Sequence, residues 1–158
     1  MRFWLAIPLL AASSAALAAP ECNAPNLYSG APQPVQQYPM PEQEYPVWAI
    51  SNYDGYGNPY IVFGASFFRL PEIMRAFTFM HECAKLMTRT QNELQANCLA
   101  LRVARENGLG ADIEQELAKF HYGLGLMPAQ YGGSGKAYWD ATAKCAGSRD
   151  GEENAKAE

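Results

Sequence analysis

Long hydrophobic runs are scarce in this chain, and so are histidine and positive charge. Beyond the first nineteen residues no apolar stretch reaches the ~20 residues of a bilayer span, so the rest of the sequence carries no spanning helix. Twelve Lys and Arg stand against sixteen Asp and Glu, a net charge of −4 at pH 7. With no basic stripe, nucleic acid and anionic membrane surfaces are excluded as partners. No phosphate-cradling loop, dinucleotide fingerprint or nucleophile elbow occurs. No C-x-x-C spacing exists, which argues against a cysteine metal site. Histidine occurs twice, at His81 and His121, so any imidazole chemistry must draw on these.

What is present begins with an export signal. Arg2 supplies a positive start, Phe3 to Leu10 and an Ala-rich run supply the apolar stretch, and Ala16-Leu17-Ala18 supplies a small-x-small cleavage site. Residues 1–18 are therefore expected to be a signal peptide of bacterial style, and the mature protein to be secreted, into the periplasm. Cys22, Cys83, Cys98 and Cys145 all survive cleavage, an even number that in an oxidising compartment predicts two disulfides. Three pairings are open.

Residues 19–46 are rich in proline, with Pro25, Pro32, Pro34, Pro39, Pro41 and Pro46. Lacking donors and fixed in φ, they exclude this segment from helices and central strands and predict an extended strap. The main domain is expected over 47–147, with strands at Val47–Ser51 and Tyr60–Phe63 joined by the turn residues Asp54-Gly55 and Gly57-Asn58-Pro59. Helices follow at Pro71–Thr88, Thr90–Asn107, Asp112–Tyr122 and from Ser134 to near Gly147. On the first, Ile73, Phe77, Met80, Ala84 and Met87 make a core stripe. Thr90 with Glu93 reads as a capping box. Residues 148–158 are a polar, acidic tail expected to be disordered. The fold class is α+β: a short antiparallel hairpin or small sheet on three to four helices, stapled by disulfides.

The chemistry concentrates in His81-Glu82-Cys83-Ala84-Lys85. An H-E-x-x-H helix sets two imidazole ligands one turn apart around a glutamate base. Glu93-Leu94-Gln95-Ala96-Asn97 follows on the next helix, where gluzincins place their third ligand. The strand, the His-Glu helix and the Glu93 helix together resemble the small gluzincin-like (minigluzincin) zinc metallopeptidases, including exported bacterial forms with cysteine after His-Glu. The resemblance implies His81 and Glu93 as metal ligands, Glu82 as general base, and Tyr60, Ile61, Val62 and Phe63 as the strand that pairs with an extended substrate. Lys85 stands where the second ligand belongs, and an ammonium has no lone pair to give. The expected function is thus an exported metallopeptidase-like domain without catalysis or cofactor, a binding or structural protein for an extended peptide or envelope protein. The alternative is an active zinc peptidase using His81, Glu93 and His121, with Glu82 as base. A last expectation is that the Lys85 ammonium fills the metal's place and pairs with Glu93. The aromatic groups Tyr53, Tyr56, Tyr60 and Tyr131, Tyr138, Trp139 serve as packing or as a ligand groove. Nothing in the sequence sets an oligomeric state.

Overall fold

A computed structural model describes residues 21–44 and 47–147; the expected signal peptide at 1–18 and the acidic tail at 148–158 lie outside the described residues. In chain order the elements are β1 (Asn23–Pro25), β2 (Pro32–Pro34), β3 (Gln36–Pro39), β4 (Ala49–Tyr53), β5 (Pro59–Phe63), α1 (Ala65–Phe68), α2 (Glu72–Thr88), α3 (Glu93–Glu106), α4 (Ala111–Gly123) and α5 (Gly135–Ala146), with a 3-10 turn at Ala129–Tyr131. The class is α+β as expected, with two small sheets on four long helices and two disulfides.

The β4–β5 hairpin forms because Asp54 organises its turn, accepting from the backbone N–H groups of Tyr56 and Asn58 at 2.8 and 2.9 Å. Its register pairs Ala49 with Phe63, Ser51 with Ile61 and Tyr53 with Pro59. One expectation is corrected here. Tyr60–Phe63 was read as an edge able to take a substrate strand, but β5 is the centre of a sheet ordered β3-β5-β4. The proline-rich strap supplies the extra strand, with β3 running parallel to β5 and Gln37 beside Ile61. As an edge it tolerates prolines that a central strand would not. Cys22–Cys83 ties the strap to α2, and Cys98–Cys145 joins α3 to α5, which selects one of the three pairings.

α2 is the central helix. Phe79, Cys83 and Leu86 pack it on the sheet side with Ile61 and Phe63, while Met74 and Phe77 face Leu101, Leu117 and Trp139 of the helical side. Covered on both flanks, it buries nine residues rather than one stripe; of the expected stripe Phe77 and Ala84 are buried, whereas Met87 is 49% exposed.

The start of α3 also differs. Asn92, not Thr90, is its N-cap, accepting from the Gln95 N–H at 3.0 Å. Both residue types cap well, and Asn92 is one residue from the helix. Thr90 instead accepts from the Asn92 N–H and donates to the Gln95 side chain. Glu93 thereby becomes the first helical residue, relieved of any capping role. At the other end Ser134 caps α5 by accepting from the Ala137 N–H at 3.1 Å. Gly135 lets α5 press on α4, since a Cβ there would overlap the His121 carbonyl.

Candidate functional site

α2 and α3 are joined by four residues, 89–92, so the end of one helix lies beside the start of the next. Helical spacing then does the rest. His81 and Lys85 are four residues apart on α2, and Glu93 and Asn97 four apart on α3, so each pair projects from one face. The structure brings the four together. The His81 Nε2 lies 2.8 Å from Glu93 Oε2, and its Nδ1 lies 2.6 Å from Asn97 Oδ1. The Lys85 ammonium donates to the other Glu93 oxygen at 3.0 Å and stands 3.6 Å from Glu82 Oε2. Glu82, buried rather than a surface carboxylate, also accepts from the Ser51 hydroxyl of β4.

The hydrogen bonds orient the Asn97 amide. Thr142 donates to the Tyr138 carbonyl at 2.9 Å and so accepts from the Asn97 amide at 3.3 Å, which turns the Asn97 oxygen toward His81. Both ring nitrogens of His81 therefore face acceptors, a carbonyl-type oxygen on one side and a carboxylate on the other. The ring is thereby held between α3's Glu93 and Asn97 by both of its nitrogens.

The electrostatics agree. Burial alone would raise the Glu93 carboxyl, but the hydrogen bond and charge of His81, followed by those of Lys85, hold it at about 2. Burial likewise pulls on the Lys85 ammonium, yet Glu82 and then Glu93 outweigh it and leave it above its ordinary value. Tyr138, which donates to the Glu93 backbone carbonyl at 3.0 Å, is pushed up by burial and by the Glu93 charge. The Lys85 ammonium thus stands between two carboxylates, Glu82 and Glu93.

Does this set fit zinc? The resemblance asks for lone pairs at 81, 85 and 93. At 85 there is an ammonium, and Glu93 is engaged by both Lys85 and His81. Among the described residues no three His, Cys, Asp or Glu side chains converge as a metal would require. Position 85 offers such an ion no lone pair.

No known protein family, curated protein or solved structure matches this chain. Function must therefore be argued from the site itself.

The cluster lines a cavity of about 420 Å³ between β4 and the helices, whose apolar wall includes Trp48, Met74, Phe77, Leu124 and Met127. His121 also lines it but does not join the cluster: its Nδ1 donates to the Leu117 carbonyl at 2.7 Å, and its ring lies against Trp139 with centroids 4.6 Å apart. Burial, and then the neighbouring His81 charge, hold it below the usual histidine range against the Leu117 bond.

β4 borders this cavity with its free side. The Gly64 N–H donates to the Trp48 carbonyl and the Asp54 N–H to the Asn58 carbonyl, so the even-numbered residues of β4 bond to β5. The backbone groups of Ala49, Ser51 and Tyr53 point the other way. Tyr53 bears this out, since its N–H turns to the Asn52 side chain at 2.8 Å. Among the described residues no strand pairs with that side.

Ser51 and Thr142 were not singled out by sequence, while Asn97 and Tyr138 were named only within the Glu93 segment and among the aromatics. Asn97 had a signal in its four-residue spacing from Glu93; Ser51 had none, being thirty-one positions from its partner Glu82.

Proposed function

We propose that this chain is an exported, metallopeptidase-like binding protein in which the Lys85 ammonium stands in for zinc, and that its ligand is an extended peptide added along the free edge of β4. The observation that carries the reading is the Lys85 ammonium, 3.0 Å from Glu93 and 3.6 Å from Glu82. It places a positive charge between two carboxylates where the resemblance puts the metal. The site keeps the electrostatics of a metal centre and none of its Lewis acidity. Glu82 is held by Ser51 and faces the ammonium. Lys85 would have to leave Glu93 before a zinc peptidase using His81, Glu93 and His121 was possible.

Binding is supported by the strand. Ala49 offers outward N–H and C=O groups beside a cavity able to take a side chain, and Ser51 continues the edge along a second one shared with Tyr53 and Leu86, the arrangement by which sheet edges capture extended peptides. The Ala16-Leu17-Ala18 pattern supports export, and two disulfides support an oxidising compartment such as the periplasm. No helix among the described residues is long and apolar enough to cross a membrane.

The test is selection from a library of capped, unstructured heptapeptides, followed by N-methylation of alternate backbone positions in those that bind. Bound peptides should lose about tenfold or more in affinity when a strand-pairing N–H is methylated, at ~1.4 kcal/mol per hydrogen bond. Amide shifts should concentrate at Ala49, Ser51 and Tyr53. Recovery of no binder, or of binders indifferent to N-methylation, would overturn the reading.

A further inference from the structure

The His121 ring has two nitrogens and only one partner. Nδ1 is committed to the Leu117 carbonyl, and that bond requires the proton to sit there. On the neutral ring Nε2 is then a bare acceptor. The residue is 97% buried, since only 3% of its surface is exposed, and no protein group donates to it among the described residues. Among the described residues every fully enclosed polar side-chain atom has a partner, so this nitrogen is not fully enclosed, and its residue lines the cavity.

The surroundings restrict what can satisfy it. Trp139 lies against the ring at 4.6 Å and Phe77 meets it edge-on at 5.9 Å, while Trp48 and Met74 continue the wall. The charged groups at the cavity's edge are already matched to one another, so a charged ligand would find no unpaired counter-charge. What fits is a flat apolar body with one neutral donor at its end.

We infer that His121 is a specificity determinant: the cavity takes an aromatic ring bearing a hydrogen-bond donor, of phenol or indole type, with the donor on His121 Nε2. This rests on the peptide-binding reading for the ring's source, a tyrosine-like side chain of a peptide lying on β4, while the chemistry is equally that of a free phenol. A site built around an acceptor discriminates sharply against the isostere without a donor, because the buried acceptor is left unpaired.

The probes are p-cresol and 4-methylanisole, alike in shape but differing in the donor. The wild-type protein should bind p-cresol about tenfold more tightly by calorimetry, and His121→Phe, which keeps a ring in the stack, should bring the two within about twofold. Should that variant not fold, protein labelled with 15N-histidine supplies the answer directly: the His121 Nε2 resonance moves upfield with p-cresol and stays put with 4-methylanisole. Equal affinity for the two probes, absence of binding, or an unmoved Nε2 resonance overturns the assignment. Selected peptides separate the sources. A tenfold loss on replacing a peptide tyrosine by phenylalanine supports the side-chain source. Donor-dependent cresol binding without any peptide binder keeps His121 as the determinant and removes the peptide reading; methylation-sensitive peptides indifferent to the donor do the reverse.

Discussion

Two partly buried ion pairs in this molecule look alike in exposure and differ in what they do. Arg105 grips Glu114 through two nitrogens, at 2.6 and 3.0 Å, with side chains 12% and 14% exposed. Lys85 and Glu93 are 12% and 20% exposed. The first is a brace between α3 and α4, one cation on one carboxylate, and its carboxylate sits in the first turn of α4 where the helix dipole favours it. The second belongs to a four-charge cluster that borders a cavity and an open strand. It is also held covalently, because Cys83 follows Glu82 and Cys98 follows Asn97, and each cysteine is in a disulfide. A brace has to survive; a cluster pinned on both helices has to keep its geometry.

The largest difference should come from removing the cations. Lys85→Met leaves Glu82 and Glu93 with only the His81 charge, and the protein should lose about 3–4 kcal/mol in urea unfolding. Arg105→Met leaves a single carboxylate at a helix start and should cost about 1–2 kcal/mol. Adding Glu93→Gln to Lys85→Met should restore much of the loss, and a cycle without coupling would reduce the cluster to another brace.

Acid sharpens the contrast at intermediate size. The Glu93 carboxyl is depressed from 4.5 to about 2, so its contribution is complete above pH 4.5 and disappears as pH falls toward 2. The stability advantage of wild type over Glu93→Gln, roughly 2–3 kcal/mol at pH 7 after allowance for partial exposure, should shrink through that window. An advantage that stayed constant to pH 2 would mean that Glu93 gains nothing from His81 and Lys85.

The smallest effect is metal binding. Wild-type protein dialysed without chelator should hold well under one equivalent of zinc, and Lys85→His should hold more, gaining about 1.4 kcal/mol of stability at ten times its Kd. Arg105→His should gain nothing. Stoichiometric zinc in wild type would return the peptidase reading to the lead.

Much of the site could be read from the sequence because its geometry is local. His81 and Lys85, like Glu93 and Asn97, meet by helical spacing, and a four-residue connection leaves α2 and α3 little choice but to face each other. The proposed Lys85–Glu93 contact follows from those two facts and is present at 3.0 Å. What could not be read was set by long-range register. β3 pairs with β5 across some two dozen positions, and its arrival moved Tyr60–Phe63 from edge to centre and passed the free edge to β4. The disulfide partners depended on the same docking. The N-cap was ambiguous for a different reason, since Thr90 and Asn92 are both competent caps and only packing separates them.

The parallel pairing of β3 has a consequence for assembly. A sheet with two receptive edges can hand strands on from copy to copy and grow into a filament. Here one outer strand ends in Pro39, with Pro41 just beyond, and proline offers no N–H to a newcomer. The sheet can lengthen only at β4, and a strand laid there uses up its receptive side. Two copies meeting β4 to β4 would close on each other as a symmetric pair and go no further. The same prolines that bar the strap from the middle of the sheet leave β3 poorly suited to a further strand, so on the proposed reading a strand taken at β4 would not be passed on.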